Sequence, residues 1–475
     1  MTASGPISLS LAENVRFLQD TFGTSTDFYS KPLNIGGIDC RIVLFTGLSS
    51  PEKLTVMMLS ILSQEREAFA DGPALARHLL RESLIPTESA PITTREEMIE
   101  RLANGLTLLL IEGCPVALTV SSQEMPQRSV SEPDGEGNMY GPQEAFTEQL
   151  RTNISLLRRQ FRTGTLVVER HDAHNHARTE YCLCYDRARA PADTVDTLRR
   201  KLDAAHLPAL LDSSYFASFL KQDKLNLFPA GAYTVRPATA CARLCEGKVV
   251  ILVAGSPCAM VIPSFFAEHF ECLDDYSSGA VFAGLIRLLK YLAFTVAVFG
   301  PGFYVMAMTF TPEIIPIKLL ASLAEAESRT PLPPMLEMLT VTLLLEIVRE
   351  AGLRAPKSIS HTVSIVGALI IGETAVSAGI VSVPVLTMAA AATIATLAVP
   401  SLYEQSILFR FAAILLAGLF GVPGIACCAL LILAMACGSD PFGYDYLYPL
   451  MPPSRASWRD GFVRSIWSRL AQGDG

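Results

Sequence analysis

What most constrains this chain is where its charges are not. From Phe282 to Cys437, long apolar runs follow one another with few ionisable side chains, whereas the sequence before about residue 280 reads as ordinary mixed globular protein. The chain has 475 residues, of which 50% are hydrophobic and only 18% charged, and its mean hydropathy is +0.35. That excess, concentrated in one half, predicts a water-soluble part followed by a membrane part. The opening stretch, MTASGPISLSLAENVRFLQD, has neither a basic n-region nor a continuous apolar h-region. It therefore predicts no secretory signal and a cytoplasmic N-terminal half.

Length and punctuation divide the apolar half. Phe282 to Met308 is long enough to span a hydrocarbon layer of about 30 Å, and Arg287 and Lys290 near its start favour a cytoplasmic entry side. His361 to Ser382 and the short, Ala- and Thr-rich Pro384 to Val399 are further candidates, and Ile407 to Cys437 is broken by Gly421-Val-Pro-Gly424 into a kinked crossing or a hairpin. Pro334 to Val348 carries Glu337 and Glu346, so an interfacial helix competes there with a crossing. The sequence leaves four to six crossings, with the tail that carries Arg455, Arg459, Arg464 and Arg469 on the cytoplasmic side.

The soluble half contains a repeat. GLTLLLIEGCPVALTV from Gly105 matches GKVVILVAGSPCAMVI from Gly247 at an offset of 142 residues, and strand–proline–helix stretches around Pro51 and Pro191 match at 140. Phe22 stands against Phe161 at 139, in the same order, so the sequence predicts tandem α/β subdomains. The domain plan is a first α/β subdomain over 1–120, a polar linker over 121–149, and a second α/β subdomain over 150–280. A polytopic transmembrane helical domain over 281–438 and a cytoplasmic tail over 439–475 complete it. In each repeat, the apolar strands flanking Gly-Cys-Pro or Gly-Ser-Pro predict a hairpin.

Chemistry is not evident in either repeat. There is no P-loop, strand-anchored G-x-G-x-x-G, G-x-S-x-G or H-E-x-x-H. His171, His174 and His176 precede Cys182 and Cys184, but without a paired C-x2-C set they read as the polar turn of a hairpin rather than a zinc site. The scattered cysteines predict reduced, buried thiols, and a net charge of −8 without basic blocks argues against nucleic acid. No catalytic residue, cofactor or metal is expected.

The stretch LIRLLKYLAFTVAVFGPGFYVMAMTFTPEIIPIKLLASLAEAESRTPLPP, with LLLEIVREAGLRAPKSISHTVSIVGALIIGETAVSAGIVS and LFRFAAILLAGLFGVPGI, resembles the A subunit of GerA-type spore germination receptors, a family that includes the sporulation protein SpoVAF. GPQEAFTEQLRTNISLLRRQ, LDSSYFASFL and VVILVAGSPCAMVIP extend the resemblance over roughly residues 40 to 450. It implies a protein of the inner spore membrane that acts in leaving dormancy, beside a transporter-like B subunit that binds the nutrient and a lipoprotein C subunit. It also implies a homo-oligomeric ring, a pentamer, whose helices form a cation-conducting pore. A SpoVAF-like accessory channel, a non-conducting scaffold and a secondary transporter are the alternatives. Where family members often read GQAAV, this chain has Gly372-Glu-Thr-Ala-Val376.

That departure makes Glu373 the candidate functional residue. At 100° per residue, Ser364, Ala368, Gly372, Ala375 and Gly379 share one helical side with small-xxx-small spacing, a surface for close helix packing. Thr362, Val366, Leu369, Glu373 and Ser377 form a stripe roughly opposite. A carboxylate there is either a structural partner, of Arg410 or His361, or part of a pore in which a ring of glutamates attracts cations.

Overall fold

The computed structural model describes residues 5–49, 69–81, 90–122, 136–137, 141–221, 225–354, 372–439, 441–449 and 451. Its contacts divide the chain into an α/β unit, Met1–Lys221 with Ala230–Pro263, and a helical unit, Gln222–Pro229 with Ser264–Gly475. The helical unit thus begins earlier than residue 281, and it also takes in a short piece from within the second repeat.

The α/β unit is two copies of one pattern. Helix α1 (Leu11–Phe22) precedes strands β1 (Phe28–Ile35) and β2 (Ile38–Phe45); α2 (Gly72–Arg81), β3 (Ala90–Ile92), α3 (Arg95–Ala103), β4 (Thr107–Ile111) and β5 (Ala117–Val120) follow. The second copy runs α4 (Leu150–Gln160), β6 (Leu166–Asp172), β7 (Glu180–Asp186), α5 (Ala192–Asp203), β8 (Ala232–Thr234), α6 (Pro237–Cys245), β9 (Val249–Val253) and β10 (Ala259–Ile262). The sheets are ordered β1-β2-β4-β5-β3 and β6-β7-β9-β10-β8, one being the other with every strand number raised by five. All neighbouring strands are antiparallel. The repeat read from the sequence is therefore a repeat of topology, and the Gly-Cys-Pro and Gly-Ser-Pro motifs are the β4–β5 and β9–β10 turns. The helix expected after Pro191 is α5, whereas the stretch after Pro51 lies outside the described residues.

The central strands β4 and β9 are almost wholly apolar because both faces are covered. In β4, Leu109 and Ile111 pack with Leu75 and Leu79 of α2, while Leu108 and Leu110 pack with Val15 and Leu18 of α1 and with Met98 and Leu102 of α3. Thr94 caps α3 through a reciprocal capping box with Glu97, satisfying N–H groups that the first helical turn leaves open. At the matching point of the second copy, buried Arg236 precedes Pro237 and donates instead to the carbonyls of Pro142, at 2.7 Å, and Glu136. The described residues of the polar linker are thereby anchored. Free thiols sit in both cores, and burial pushes those of Cys40, Cys182 and Cys241 up to about 12.

Arg158 joins the repeats. From α4 its Nε donates to Asp27 Oδ2 at 2.8 Å and its Nη2 to Asp27 Oδ1 at 2.8 Å, with a further bond from Nη2 to Ser25 at 2.6 Å. The guanidinium lies 4.1 Å from the centroid of the Phe45 ring, and both charged side chains are buried. Beside it Thr26 N donates to the Val168 carbonyl and Val168 N to Ser25 Oγ, so backbone from the two copies meets over the same pair. Losing the acid would leave a buried, uncompensated guanidinium. Asp27→Ala should therefore destabilise the α/β unit by about 3–5 kcal/mol in chemical denaturation; a change below about 1 kcal/mol would show that the pair does not hold the repeats together.

On the second sheet, Glu169 accepts from Tyr185 at 2.6 Å and from Arg199 Nε at 2.9 Å, with His171 Nε2 at 3.5 Å. Burial acts to raise its pKa, but the proximity of His171 and the bonds from Arg199 and Tyr185 outweigh it and hold the carboxyl down at about 2. A depressed carboxyl contributes stability above its unfolded pKa and loses it as pH falls through the folded value. The melting-temperature advantage of the parent over Glu169→Gln should thus be constant above about pH 5 and shrink between about pH 4.5 and 2.

The longer helices of the helical unit are α7 (Ala280–Thr309), α8 (Ile317–Glu327), α9 (Pro334–Arg354), α10 (Val383–Thr396), α11 (Tyr403–Phe420) and α12 (Val422–Cys437). Among the described residues, Ala280–Thr309 and Pro400–Phe420 are long and apolar enough to cross a membrane, with mean hydropathies of 1.8 and 1.4; α10 and α12 are apolar but shorter. The expected run from Ile407 to Cys437 is divided at Gly421, whose φ of 65° ends α11 and lets α12 fold back along it. The ambiguous stretch is α9, which continues to Arg354 and packs within the bundle, burying Glu337, Met338, Val341 and Thr342 instead of lying on a surface. Helix α8 was not anticipated; none of its residues is fully buried, and Leu323 packs only partly against the bundle. Arg287 is wholly buried near the start of α7 and pairs with Asp275 at 2.9 Å, so it is neutralised within the unit.

Candidate functional site

The most concentrated polar chemistry in the helical unit begins with a proline. Gly300-Pro301-Gly302 lies inside α7, and Pro301 has no N–H to donate to the carbonyl of Ala297 four residues back. In an apolar bundle that carbonyl needs another donor. Arg410 of α11 supplies it, with Nε 2.7 Å from Ala297 O. The two helices can approach because residue 302 is glycine; a Cβ there would lie 2.9 Å from the carbonyl oxygen of Ala413.

The rest of the Arg410 guanidinium is distributed among neighbours. Its Nη2 donates to Ala392 O at 3.1 Å and to Thr396 Oγ1, both on α10, and Nη1 lies 3.4 Å from Thr393 Oγ1 and 3.5 Å from Glu346 Oε1 on α9. Glu346 in turn accepts from Tyr403 Oη and pairs with Arg349 at 3.3 Å, while Arg349 stacks 3.4 Å above the Tyr403 ring centroid. Arg410 is fully buried, so one side chain ties α7, α9, α10 and α11 together. Glu346 balances one of the two arginines; the backbone carbonyls that Arg410 collects accommodate the remaining positive charge.

Of the stripe read from the sequence, Glu373 and Ser377 are not part of this network. Thr362, Val366 and Leu369, with Ser364 and Ala368 of the packing face, lie outside the described residues, as does His361. Residues 372–377 are helical, and Glu373 and Ser377 are exposed, with Ser377 Oγ bonded to Thr374 O at 3.1 Å. Gly372, Ala375 and Gly379 are half-buried. A Cβ at Gly372 would make only an ordinary 3.5 Å contact with Leu386, so the close approach seen at Gly302 is not found there. Arg410, one candidate partner for Glu373, is instead committed to Ala297, Ala392, Thr396 and Glu346. The signal for this network was present in the sequence: a proline inside a long apolar run frees a carbonyl, and Arg410 is the one cation within LFRFAAILLAGLF.

Removing Arg410 strands the Ala297 carbonyl, while Pro301→Ala restores an intrahelical donor to it. Arg410→Met should lower the unfolding free energy of the detergent-purified chain in chemical denaturation, and the loss should be smaller in a Pro301→Ala background by about 1 kcal/mol. Strict additivity of the two substitutions would refute the link.

Comparison with known proteins places these observations in a family. The Bacillus/Clostridium GerA spore germination protein family matches residues 16–473. Spore germination protein KA of Bacillus subtilis is 31% identical over 468 residues, covering 97% of this chain and 85% of that protein. The uncharacterized membrane protein YfkQ of the same organism is 29% identical, covering 99% of this chain and 92% of its own length. Among solved structures, the N-terminal domain of the A subunit of the Bacillus megaterium spore germinant receptor GerK3 aligns with a TM-score of 0.44 at 21% identity, over 55% of this chain and 98% of that domain. With its paired antiparallel sheets followed by an apolar helical unit, the chain belongs to the GerA family of spore germination proteins.

Proposed function

We propose that this chain is the A subunit of a spore germination receptor and that several copies, a pentamer by the family resemblance, form a cation-conducting ring in the inner spore membrane. In this reading the α/β units lie on the cytoplasmic side and join neighbouring copies, since tandem modules without an evident catalytic motif have free surfaces for assembly. A transporter-like B subunit binds the nutrient, a lipoprotein C subunit completes the receptor, and binding opens the path that Thr362, Val366, Leu369, Glu373 and Ser377 line.

The observation that supports this most is Glu373. It is exposed on a single chain, on a helical turn that leads into the apolar helix α10. An ionised side chain facing lipid at the centre of a membrane costs about 3 kcal/mol or more, so water or another copy must cover it. A ring of such carboxylates would concentrate cations and repel anions.

The test is Glu373→Gln in the assembled receptor, reconstituted in bilayers and read as the reversal potential across a salt gradient, with oligomer mass measured on the same preparation. Weaker cation preference with the mass unchanged is the expected outcome. Unchanged selectivity, or loss of the oligomer, would make Glu373 a structural residue, and a strictly monomeric parent would remove the ring.

A further inference from the structure

Glu337 is a different kind of carboxylate. It lies in the first turn of α9 and is fully buried, against a cluster that includes Tyr304, Val341, Val381 and Val385. Its Oε1 accepts from the backbone N–H of Ser382, the residue that precedes α10, so this oxygen caps the start of another helix. The other oxygen, Oε2, has no hydrogen-bond partner among the described residues, and neither does the hydroxyl of Ser382, itself only 4% exposed. No Lys or Arg among the described residues pairs with Glu337. A charge of the same sign is close by: Glu327, at the end of α8, lies within electrostatic reach and accepts from Tyr304 Oη at 3.0 Å.

A capping role accounts for Oε1 alone. It leaves an anionic oxygen and a hydroxyl, both buried and unpartnered, on the two sides of one backbone hydrogen bond, with a second carboxylate repelling the first. A buried carboxyl group in that position is neutralised either by a proton or by a positive charge beside it. The donors are all oxygen, from carboxylates and hydroxyls, which is the set that binds hard cations and gives soft metals no advantage. The N-terminus of α10 offsets part of the charge on Glu337 and Tyr304 Oη donates to Glu327, so the unpartnered charge left at Glu337 Oε2 matches one positive charge better than two. Glu327, at the outer side, is half-buried.

We propose that Glu337 and Ser382, with Tyr304 and Glu327 at the outer side, form a binding site for a dehydrated alkali cation within the helical unit of a single chain. The site binds α9 to the start of α10 and to the end of α8. It does not require the chain to conduct ions or to form a ring.

The full-length protein, purified in detergent and held in choline chloride, is titrated with sodium or potassium chloride at constant total chloride while its melting temperature is followed. The expected result is a saturable rise with sodium or potassium that choline does not produce. Glu337→Gln should abolish that rise, and Ser382→Ala should raise the half-saturating concentration by about tenfold. If Glu337→Gln does not fold, Ser382→Ala and Glu327→Gln are read by calorimetric titration with the chloride salt, where both should weaken binding. Equal melting temperatures in sodium, potassium and choline would overturn the proposal. So would a cation response that Glu337→Gln retains, or a rise on acidification in choline that matches the one in sodium, which would assign the charge at Glu337 to a proton.

Discussion

The helical unit depends on one missing hydrogen. Because Pro301 cannot donate, Ala297 presents an open carbonyl inside α7, and the bond from Arg410 to that oxygen sets where α11 must cross. Gly302 permits the crossing, and the remaining donors of Arg410 then fix α10 through Ala392 and Thr396 and α9 through Glu346. A proline alone would weaken α7, and an arginine alone would be an uncompensated buried charge. Together they replace one intrahelical bond with contacts among four helices. This gives a bundle of short apolar helices an orientation that hydrophobic matching alone does not specify, since apolar surfaces pack without direction.

The α/β unit reaches the same end by different chemistry. Each repeat has its own clusters and could be packed independently, yet Asp27 and Arg158 place complementary buried charges in different copies. Neither copy can complete its polar bonds alone. The equivalent helix starts have diverged in the same direction: Thr94 serves only α3, whereas Arg236 holds the linker that leads into the second repeat. A duplicated fold has become one body through the positions that no longer match.

Much of this was legible in the sequence, and the exceptions have identifiable causes. The repeat showed because strands covered on both faces keep a continuous apolar signature, as in LTLLLI and VVILV. The turn at Gly421 showed because Gly-Val-Pro-Gly has few other uses in an apolar run. Helix α8 did not show: its inward face, Leu320, Leu323 and Glu327, is only half-buried and ends in an acid, so its apolar pattern is weak. The pairing of Arg410 was missed because the freed carbonyl belongs to a residue, Ala297, whose side chain says nothing about its backbone. Glu337 read as a mark against a bundle helix, when its burial beside the start of α10 was the information.

The order of the chain also bears on how the helical unit comes together. Phe228, emerging between two strands of the second sheet, ends in an aromatic cluster with Phe266, Phe409 and Tyr446, at centroid distances of 6.0, 5.6 and 5.2 Å. Its partners are synthesised over more than two hundred further residues, the last of them beyond α12. Contacts so distant in sequence form late, because the intervening chain must first be closed into a loop. The second sheet can pair while the ribosome is still translating α7, but Phe228 stays without its full cluster until Tyr446 arrives. Completion of the helical unit is therefore timed by the C-terminal end of the chain, and a product released before that point would leave its earliest core residue exposed.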